Sequence, residues 1–253
     1  MLYAMTEEGV ANFVQANLVG TCGNLFRGTR LNGAYPIPDF PRAFGEGKVL
    51  DIGCSWGRWT MAGALAGYPM IGMDIHWKAL LCARWLAKRI VPDNMPLFVL
   101  ADARHLPFGP ESLNGVFSYS CIQHFSKANA ERVASEIGRV LKTRSKSLVQ
   151  MANRGGIRST LVLARRGFSE GSEFDVRYYS IPELTRLMEA KIGRTTWFVD
   201  CFLGLNVHRR DQRFVTRSKR WIITLAEMLR QVSDDFPALR RHSDSVFVSS
   251  TKN

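Results

Sequence analysis

From Lys48 to Asn153 the chain alternates short apolar runs with longer segments of helical periodicity, and this alternation constrains the fold more than any single residue does. The runs KVLDIG (48–53), PMIGMD (69–74), PLFVLA (96–101), NGVFSYS (114–120) and SLVQMA (147–152) are mostly apolar at consecutive positions. A strand covered by helices on both faces reads this way, whereas a strand with one wet face alternates. The intervening segments predict helices over 56–66, 77–90 and 129–142. The first ends at Gly67, and the second stops before Val91-Pro92, where proline disfavours a helical predecessor. The third places Val133, Ile137, Val140 and Leu141 on one stripe, as a helix lying on a sheet needs. Stacked β-α-β units of this kind imply a parallel sheet.

The flanks are less regular. Thr6 is positioned to cap a helix running to about Leu18, with Glu7 and Glu8 in its first turn. The connector from Gly20 to Gly47 is too long for a plain turn, so it either wraps the core or forms part of a lid. Ser180-Ile181-Pro182-Glu183 opens another helix, with Ser180 as its cap. Segments 194–203 and 244–251 read as two final strands, with a helical insertion over 215–232 between them.

Composition excludes several classes. No apolar run approaches the roughly 20 residues that cross a bilayer, and MLYAMTEEGVANF has acids where a signal peptide has basic residues. Those two features together imply a cytoplasmic setting, and five scattered cysteines without a C-x-x-C pair point to reduced thiols and no structural metal. With 46% hydrophobic residues in 253, the chain can bury a large core. The net charge of +12 includes the cluster Arg209, Arg210, Arg213, Arg217, Lys219 and Arg220. That cluster suits either a solvated surface or contact with phosphate on a nucleic acid, a nucleotide-linked substrate or an anionic membrane.

The turn Gly53-Cys54-Ser55-Trp56-Gly57 fits two chemistries. As G-x-S-x-G it could hold a hydrolase serine, but that needs an oxyanion loop from an earlier strand. Only 47 residues precede the first run, and none forms a His-Gly-Gly loop. A dinucleotide fingerprint fails as well, because Ser55 and Arg58 stand where it requires glycine. What remains is a tight turn that brings backbone amides up to a nucleotide-like cofactor. Asp51, Asp74 and Asp102 end three successive strands, and in an open α/β sheet those ends face one crevice. Asp74, some 20 residues after the turn, is placed to accept hydrogen bonds from a ribose diol, worth about 1.5 to 3 kcal/mol each. For Asp51 and Asp102, capping a helix or bracing a loop is equally open.

VLDIGCSWGRW, GMDIHWKAL, ADARHLPFGPESLNGVFS and SCIQHF, in this order, resemble the motifs of the class I S-adenosylmethionine-dependent methyltransferases, in particular their small-molecule, type 11-like branch. The resemblance covers roughly Gly45 to Asn153, and YYSIPELTRLMEA and DSVFVSSTK are similar to the family's later helix and last strand. It implies an α/β, Rossmann-like, doubly wound and mostly parallel seven-stranded sheet with an antiparallel last strand. An N-terminal helix and a helical insertion before that strand would complete a single domain. Residues 1–47 would form its helix and lid-like connector, 48–153 the cofactor-binding core, and 154–253 the substrate side, with the acceptor shaped mainly by 1–47, 155–178 and 203–243. The implied cofactor is S-adenosyl-L-methionine, with no metal.

By the same resemblance, Gly53, Cys54, Ser55 and Gly57 would lie against the methionine part and Asp51 near its amino group. Asp74 would take the ribose hydroxyls. Ile75 and Leu106 would flank the adenine, Asp102 and Ala103 would read its edge, and backbone around Ser120 would close the floor. His124, after the fourth strand, is the candidate general base for a hydroxyl acceptor, or a residue that shapes the pocket. His76 and His105 would be cofactor-loop neighbours, and Trp56, Trp59 and Trp77 helix-to-sheet packing. Two positions depart from the family pattern: Ser55 replaces a glycine and Asn114 an aspartate. The expected activity is methyl transfer to a small molecule such as a sugar, a lipid-linked compound or a secondary metabolite. An RNA methyltransferase and a non-catalytic cofactor-binding protein of the same fold are the alternatives.

Overall fold

The five apolar runs become five adjacent parallel strands in a computed structural model, which describes residues 5–172, 174–203 and 209–253. Residues 204–208, part of the expected acceptor-shaping segment, and residue 173 lie outside the described residues. In chain order the elements are α1 (Glu7–Cys22), β1 (Val49–Ile52), α2 (Arg58–Leu65), β2 (Met70–Asp74), α3 (Trp77–Ile90), β3 (Leu97–Leu100), β4 (Leu113–Ser118) and α4 (Lys127–Val140). They continue with β5 (Leu141–Ala152), α5 (Ile157–Arg165), α6 (Ile181–Lys191), β6 (Thr195–Cys201), α7 (Arg217–Asp235), α8 (Pro237–Arg240) and β7 (Ser245–Thr251). The seven-stranded sheet has the order β3-β2-β1-β4-β5-β7-β6, and β7 runs antiparallel to both of its neighbours. The expected architecture is met, including the reversed final strand.

Alternation along each strand divides the core into two layers. Val49 and Phe117 join one apolar cluster with residues of α1, α2, α3 and α7. Leu50, Ile52 and Val116 join another, built with α4 and α6. Burying Val133, Ile137 and Val140 of α4 contributes about 1.5 to 3 kcal/mol per side chain. In α1, Val10, Val14, Leu18 and Cys22 recur every four residues and are buried, while the Thr6 hydroxyl accepts from Gly9 N at 3.1 Å. The helix continues one turn beyond Leu18, to the left-handed Gly23 at φ 93°.

Three local readings needed correction. α2 starts at Arg58 rather than Trp56, because Gly57 adopts φ 81° and completes the preceding turn. β5 begins at Leu141, directly after α4, and its exposed first half carries polar residues that no apolar pattern could reveal. Segment 157–165 is a helix, α5, that the sequence reading left unassigned. As for the Gly20–Gly47 connector, it wraps the core: Ile37, Phe40 and Phe44 are buried, and the Phe40 ring lies 4.9 Å from that of Phe117.

One buried cation fastens these peripheral segments. Arg58, with 2% of its side chain exposed, donates from Nη2 to both carboxylate oxygens of the fully buried Asp211, at 2.9 and 2.7 Å. Its Nε donates to Pro36 O at 2.8 Å and its Nη1 to Thr21 O at 3.1 Å. The start of α2 is thereby tied to the end of α1, to the connector and to the turn Arg209–Phe214 that precedes α7. Removing the carboxylate leaves a buried charge without its counterion, so Asp211→Ala is expected to lower the unfolding free energy by about 3 to 5 kcal/mol. Urea denaturation checks this, and a loss below about 1 kcal/mol would contradict it.

Candidate functional site

β1 and β4 lie side by side, and the chain leaves them toward opposite faces of the sheet, so a crevice opens beyond their carboxyl ends. A cavity of about 480 Å³ occupies this position. That size suits a cofactor and small-ligand site. Its walls are Phe13, Asn17 and Thr21 of α1, the turn Gly53 to Ser55, Asp74 to His76 after β2, Ala101 and Ala103 after β3, and Tyr119 to Cys121 after β4. His124, Phe125 and Phe174 close the far side.

The turn after β1 is shaped by what surrounds it. Gly53 has φ 76°, and a Cβ there would collide with the Cys121 side chain, so the position requires glycine twice over. Ser55 also adopts a left-handed backbone at φ 49°. Its amide donates to Asp74 Oδ2 at 2.8 Å, which offsets that strain, while the other oxygen of Asp74 accepts from His76 N at 2.8 Å. The second strained wall residue, Ser120 at φ 53°, is held from the neighbouring strand in the same manner: Gln150 Oε1 accepts from its amide at 2.9 Å.

The three strand-end carboxylates do not share one mouth as expected. Only Asp74 among them lines the cavity. Asp51 follows Val49 in facing α2, where it is 1% exposed and accepts from Thr60 Oγ1 at 2.6 Å. Burial pushes its pKa up to about 7, against the opposing effect of the Thr60 hydrogen bond. Asp102 turns to Arg104, whose Nε donates to both of its oxygens at 3.0 Å. That pairing holds its carboxyl below the usual range, so it braces its loop as an anion.

The remaining candidates divide as well. Gly53, Cys54, Ser55, Ile75, Ala103, Ser120 and His124 line the cavity, as does His76. Gly57 and Leu106 do not: a Cβ on Gly57 would press on Ala83 of α3 at 2.9 Å, so that glycine serves helix packing. Leu106 is buried in the α4-side core. Asn114 receives Lys142 Nζ at 3.1 Å and abuts Gly47, also off the cavity wall, so the departure from aspartate bears on the connector. Trp56 is buried and donates to Thr21 Oγ1 at 2.9 Å, Trp59 lines the cavity, and Trp77 is exposed rather than packed.

His124 is stacked on Phe174, with ring centroids 5.3 Å apart, and its Nδ1 lies 2.7 Å from the Phe174 carbonyl oxygen. A carbonyl only accepts, so Nδ1 carries the proton and neutral His124 keeps a bare Nε2. Burial holds its pKa below the ordinary imidazole value, which favours the neutral form. Cys121 beside the turn is pushed up to about 12 by burial, and Cys54 is also raised, so neither supplies a thiolate at neutral pH.

Sequence reasoning missed Phe13 and Asn17, because α1 gave no sign of reaching the crevice, and Phe174, which no motif covers. It also missed a buried network. Asp200 Oδ2 on β6 accepts from Tyr119 OH at 3.0 Å, Gln150 Nε2 at 3.2 Å and Ser245 Oγ at 2.7 Å, which links a cavity-wall tyrosine to three strands.

The sheet order and the crevice at its switch point define a class I methyltransferase fold. Residues 49–144 match the family model of a methyltransferase domain. Over 114 residues the chain is 32% identical to the 18S rRNA (guanine-N(7))-methyltransferase bud23 of Schizosaccharomyces pombe, a match that covers 45% of this chain and 40% of that protein. The chain thus spans less than half the length of this curated relative. Among solved structures, an S-adenosylmethionine-dependent methyltransferase of Methanosarcina mazei matches with a TM-score of 0.58 and 18% identity, over 82% of this chain and 92% of that one. Magnesium protoporphyrin IX methyltransferase of Synechocystis, solved with bound S-adenosylhomocysteine, matches with a TM-score of 0.53 and 15% identity, over 97% and 83%. Residues 49–144 thus match a methyltransferase domain, and the chain shares the fold of these solved methyltransferases, one of which holds the demethylated form of S-adenosylmethionine.

The wall suits that cofactor chemically. Asp74 retains lone pairs after accepting two amides, and the Gly53 turn leaves no Cβ between backbone and cavity.

Asp51 makes stability depend on pH with a definite sign. A carboxyl raised from 3.8 to about 7 keeps its proton in the folded state while the unfolded chain ionises. Its contribution is full below pH 3.8 and is lost, by a few kcal/mol, as pH rises to about 7. Asp51→Asn, which can still accept from Thr60, is expected to flatten this decline. Urea midpoints between pH 4 and 8 measure it, and an unchanged slope would refute the assignment.

Proposed function

We propose that this protein transfers the methyl group of S-adenosylmethionine to a small-molecule acceptor in the 480 Å³ cavity. The observation that carries the reading is the arrangement of that cavity, with the amide-braced Asp74 and exposed Ile75 at one wall and His124 with a bare Nε2 at the other. Residues 48–153 hold the cofactor, and 1–47 with 154–253 shape the acceptor side. The cofactor supplies a methyl group already bound to a good leaving group. Asp74 accepts from the ribose hydroxyls, Ile75 covers one face of the base, and the Gly53 to Ser55 backbone borders the methionine part. Asp51 acts at one remove, through Thr60 and the start of α2.

Positioning of the acceptor against the methyl group then provides most of the acceleration. With a hydroxyl acceptor, His124 Nε2 takes the proton as the new bond to carbon forms. A cytoplasmic setting belongs to the same proposal, since no disulfide joins the five cysteines.

An RNA acceptor is favoured by one observation, the 32% identity to an enzyme named for 18S rRNA. Against it, two members of the basic cluster are engaged within the chain: Arg210 pairs with Asp39, and Lys219 donates to Leu25 O and Arg27 O. RNA binding that falls steeply with salt would support that alternative.

Calorimetry with S-adenosylhomocysteine is expected to show binding that Asp74→Ala abolishes or weakens by at least tenfold, about 1.4 kcal/mol. Absence of binding at millimolar ligand overturns the reading. For a hydroxyl acceptor, His124→Gln is expected to lower kcat by about 10² to 10⁴-fold with cofactor affinity unchanged. Wild-type activity should fall as pH drops through the lowered His124 pKa, below 6.5, because protonation occupies Nε2. Cofactor binding without turnover on any acceptor would instead indicate a non-catalytic member of the fold.

A further inference from the structure

α7 is apolar on the side turned away from the protein. Its packed side carries Ile223, Ala226 and Ser233, all buried. At about 100° per residue, Trp221, Leu225, Met228 and Val232 fall opposite that side. All four are exposed, Trp221 by 77%. Exposed Phe236 continues the stripe, which is then about 22 Å long. α5 repeats the device: Ile157, Leu161 and Ala164 are exposed, with Phe168 just beyond its end, at the same i, i+4, i+7, i+11 spacing. Large apolar side chains scattered singly need no explanation, but two such ordered stripes do.

The segments that carry the two helices are basic, although α7 itself is nearly balanced, with four Lys and Arg against three Asp and Glu. Residues 209–241 contain nine Lys and Arg against four Asp and Glu, or seven once Arg210 and Lys219, engaged within the chain, are set aside, and residues 154–166 contain four Arg and no acid. They are linked through residues 240–242, since Arg240 Nε donates to Ser233 O at 2.8 Å and Ile157 N to His242 O at 3.3 Å. Segments that flank them reach residues of the cavity wall. Asp211, just ahead of α7, binds the wall residue Arg58, and Arg166 at the end of α5 pairs with Asp175 next to the wall residue Phe174.

Charge and apolarity together select the occupant. A nucleic acid would use the cations but leave Leu225, Met228 and Val232 wet, and a second copy of this chain would bring like charge against like. An anionic lipid surface satisfies both, with apolar side chains among the acyl chains and arginines at the headgroups. No helix among the described residues is long and apolar enough to cross a membrane, so the contact is one that lies on the surface.

We propose that α7 and α5 seat the protein on an anionic bilayer, and that the methyl acceptor is an amphiphile reached from that surface. The second half rests on the methyl-transfer reading above, and the first half stands without it.

Co-sedimentation with vesicles of phosphatidylcholine plus about a third phosphatidylglycerol tests the docking against phosphatidylcholine alone. The full chain is expected to bind the anionic vesicles in preference, with binding that weakens as salt rises. The double substitution Leu225→Glu with Met228→Glu is expected to weaken binding about tenfold or more. Its circular dichroism and its affinity for S-adenosylhomocysteine should not change, which separates lost docking from a lost cofactor site. Trp221→Phe keeps the stripe apolar and should remove most of the blue shift in tryptophan emission on vesicles, a readout that does not depend on the double variant folding. Wild-type protein that stays in the supernatant with anionic vesicles overturns the proposal, as does unchanged binding by the double variant. So does tight RNA binding without vesicle binding, which gives the surface to a nucleic acid, or a concentration-dependent dimer in sedimentation velocity that the double variant abolishes.

Discussion

Arg58 carries a full positive charge where water barely reaches, so its guanidinium has to be matched by protein. Each of its three nitrogens is used, and the partners come from parts of the chain that share no regular pairing: Thr21, Pro36 and Asp211. The planar guanidinium suits this task in a way a lysine would not, because its fixed donors address the carboxylate through Nη2 and two backbone carbonyls through Nε and Nη1 at once. α1, the connector and the turn before α7 have no strand to register them. This residue at the start of α2 ties all three together, and Lys219 and Arg210 add bonds from the α7 side to Leu25, Arg27 and Asp39.

The parts of the structure that were legible in the sequence are those where an apolar pattern and a backbone preference coincide. Helix α3 falls on its expected residues, Trp77 to Ile90, and the Ser180 cap forms a full capping box with Glu183. What escaped was set by tertiary partners. Asp51, Asp74 and Asp102 look equivalent along the chain, yet the first is buried against Thr60, the second holds two amides and the third is claimed by Arg104 two residues later. A strand end fixes where a carboxylate begins and leaves its neighbour to decide where it points. Asp211 shows the converse, since an acid inside a basic run reads as diluted charge until Arg58, far away in sequence, is brought to it.

The crevice is built on two strained serines. Ser55 and Ser120 both adopt left-handed backbones, and each is held by a side chain of an adjacent strand, Asp74 on β2 and Gln150 on β5. Such conformations persist where surrounding bonds over-determine them. Gln150 in turn belongs to the Asp200 network with Tyr119 and Ser245, so the wall after β4 is braced from the antiparallel edge of the sheet.

That edge has a consequence for how the sheet holds together. β7 lies between β5 and β6, which do not touch as neighbours in the sheet. Strand β6 therefore has no ladder partner in the sheet other than 245–251, which joins it to β5. Residues 49–152 pair among themselves, since each of their strands joins one from the same stretch. The strands of the cofactor half are thus paired without β7, whereas β6 and its Asp200 brace reach the sheet through β7 alone, which makes that strand the keystone of the antiparallel edge.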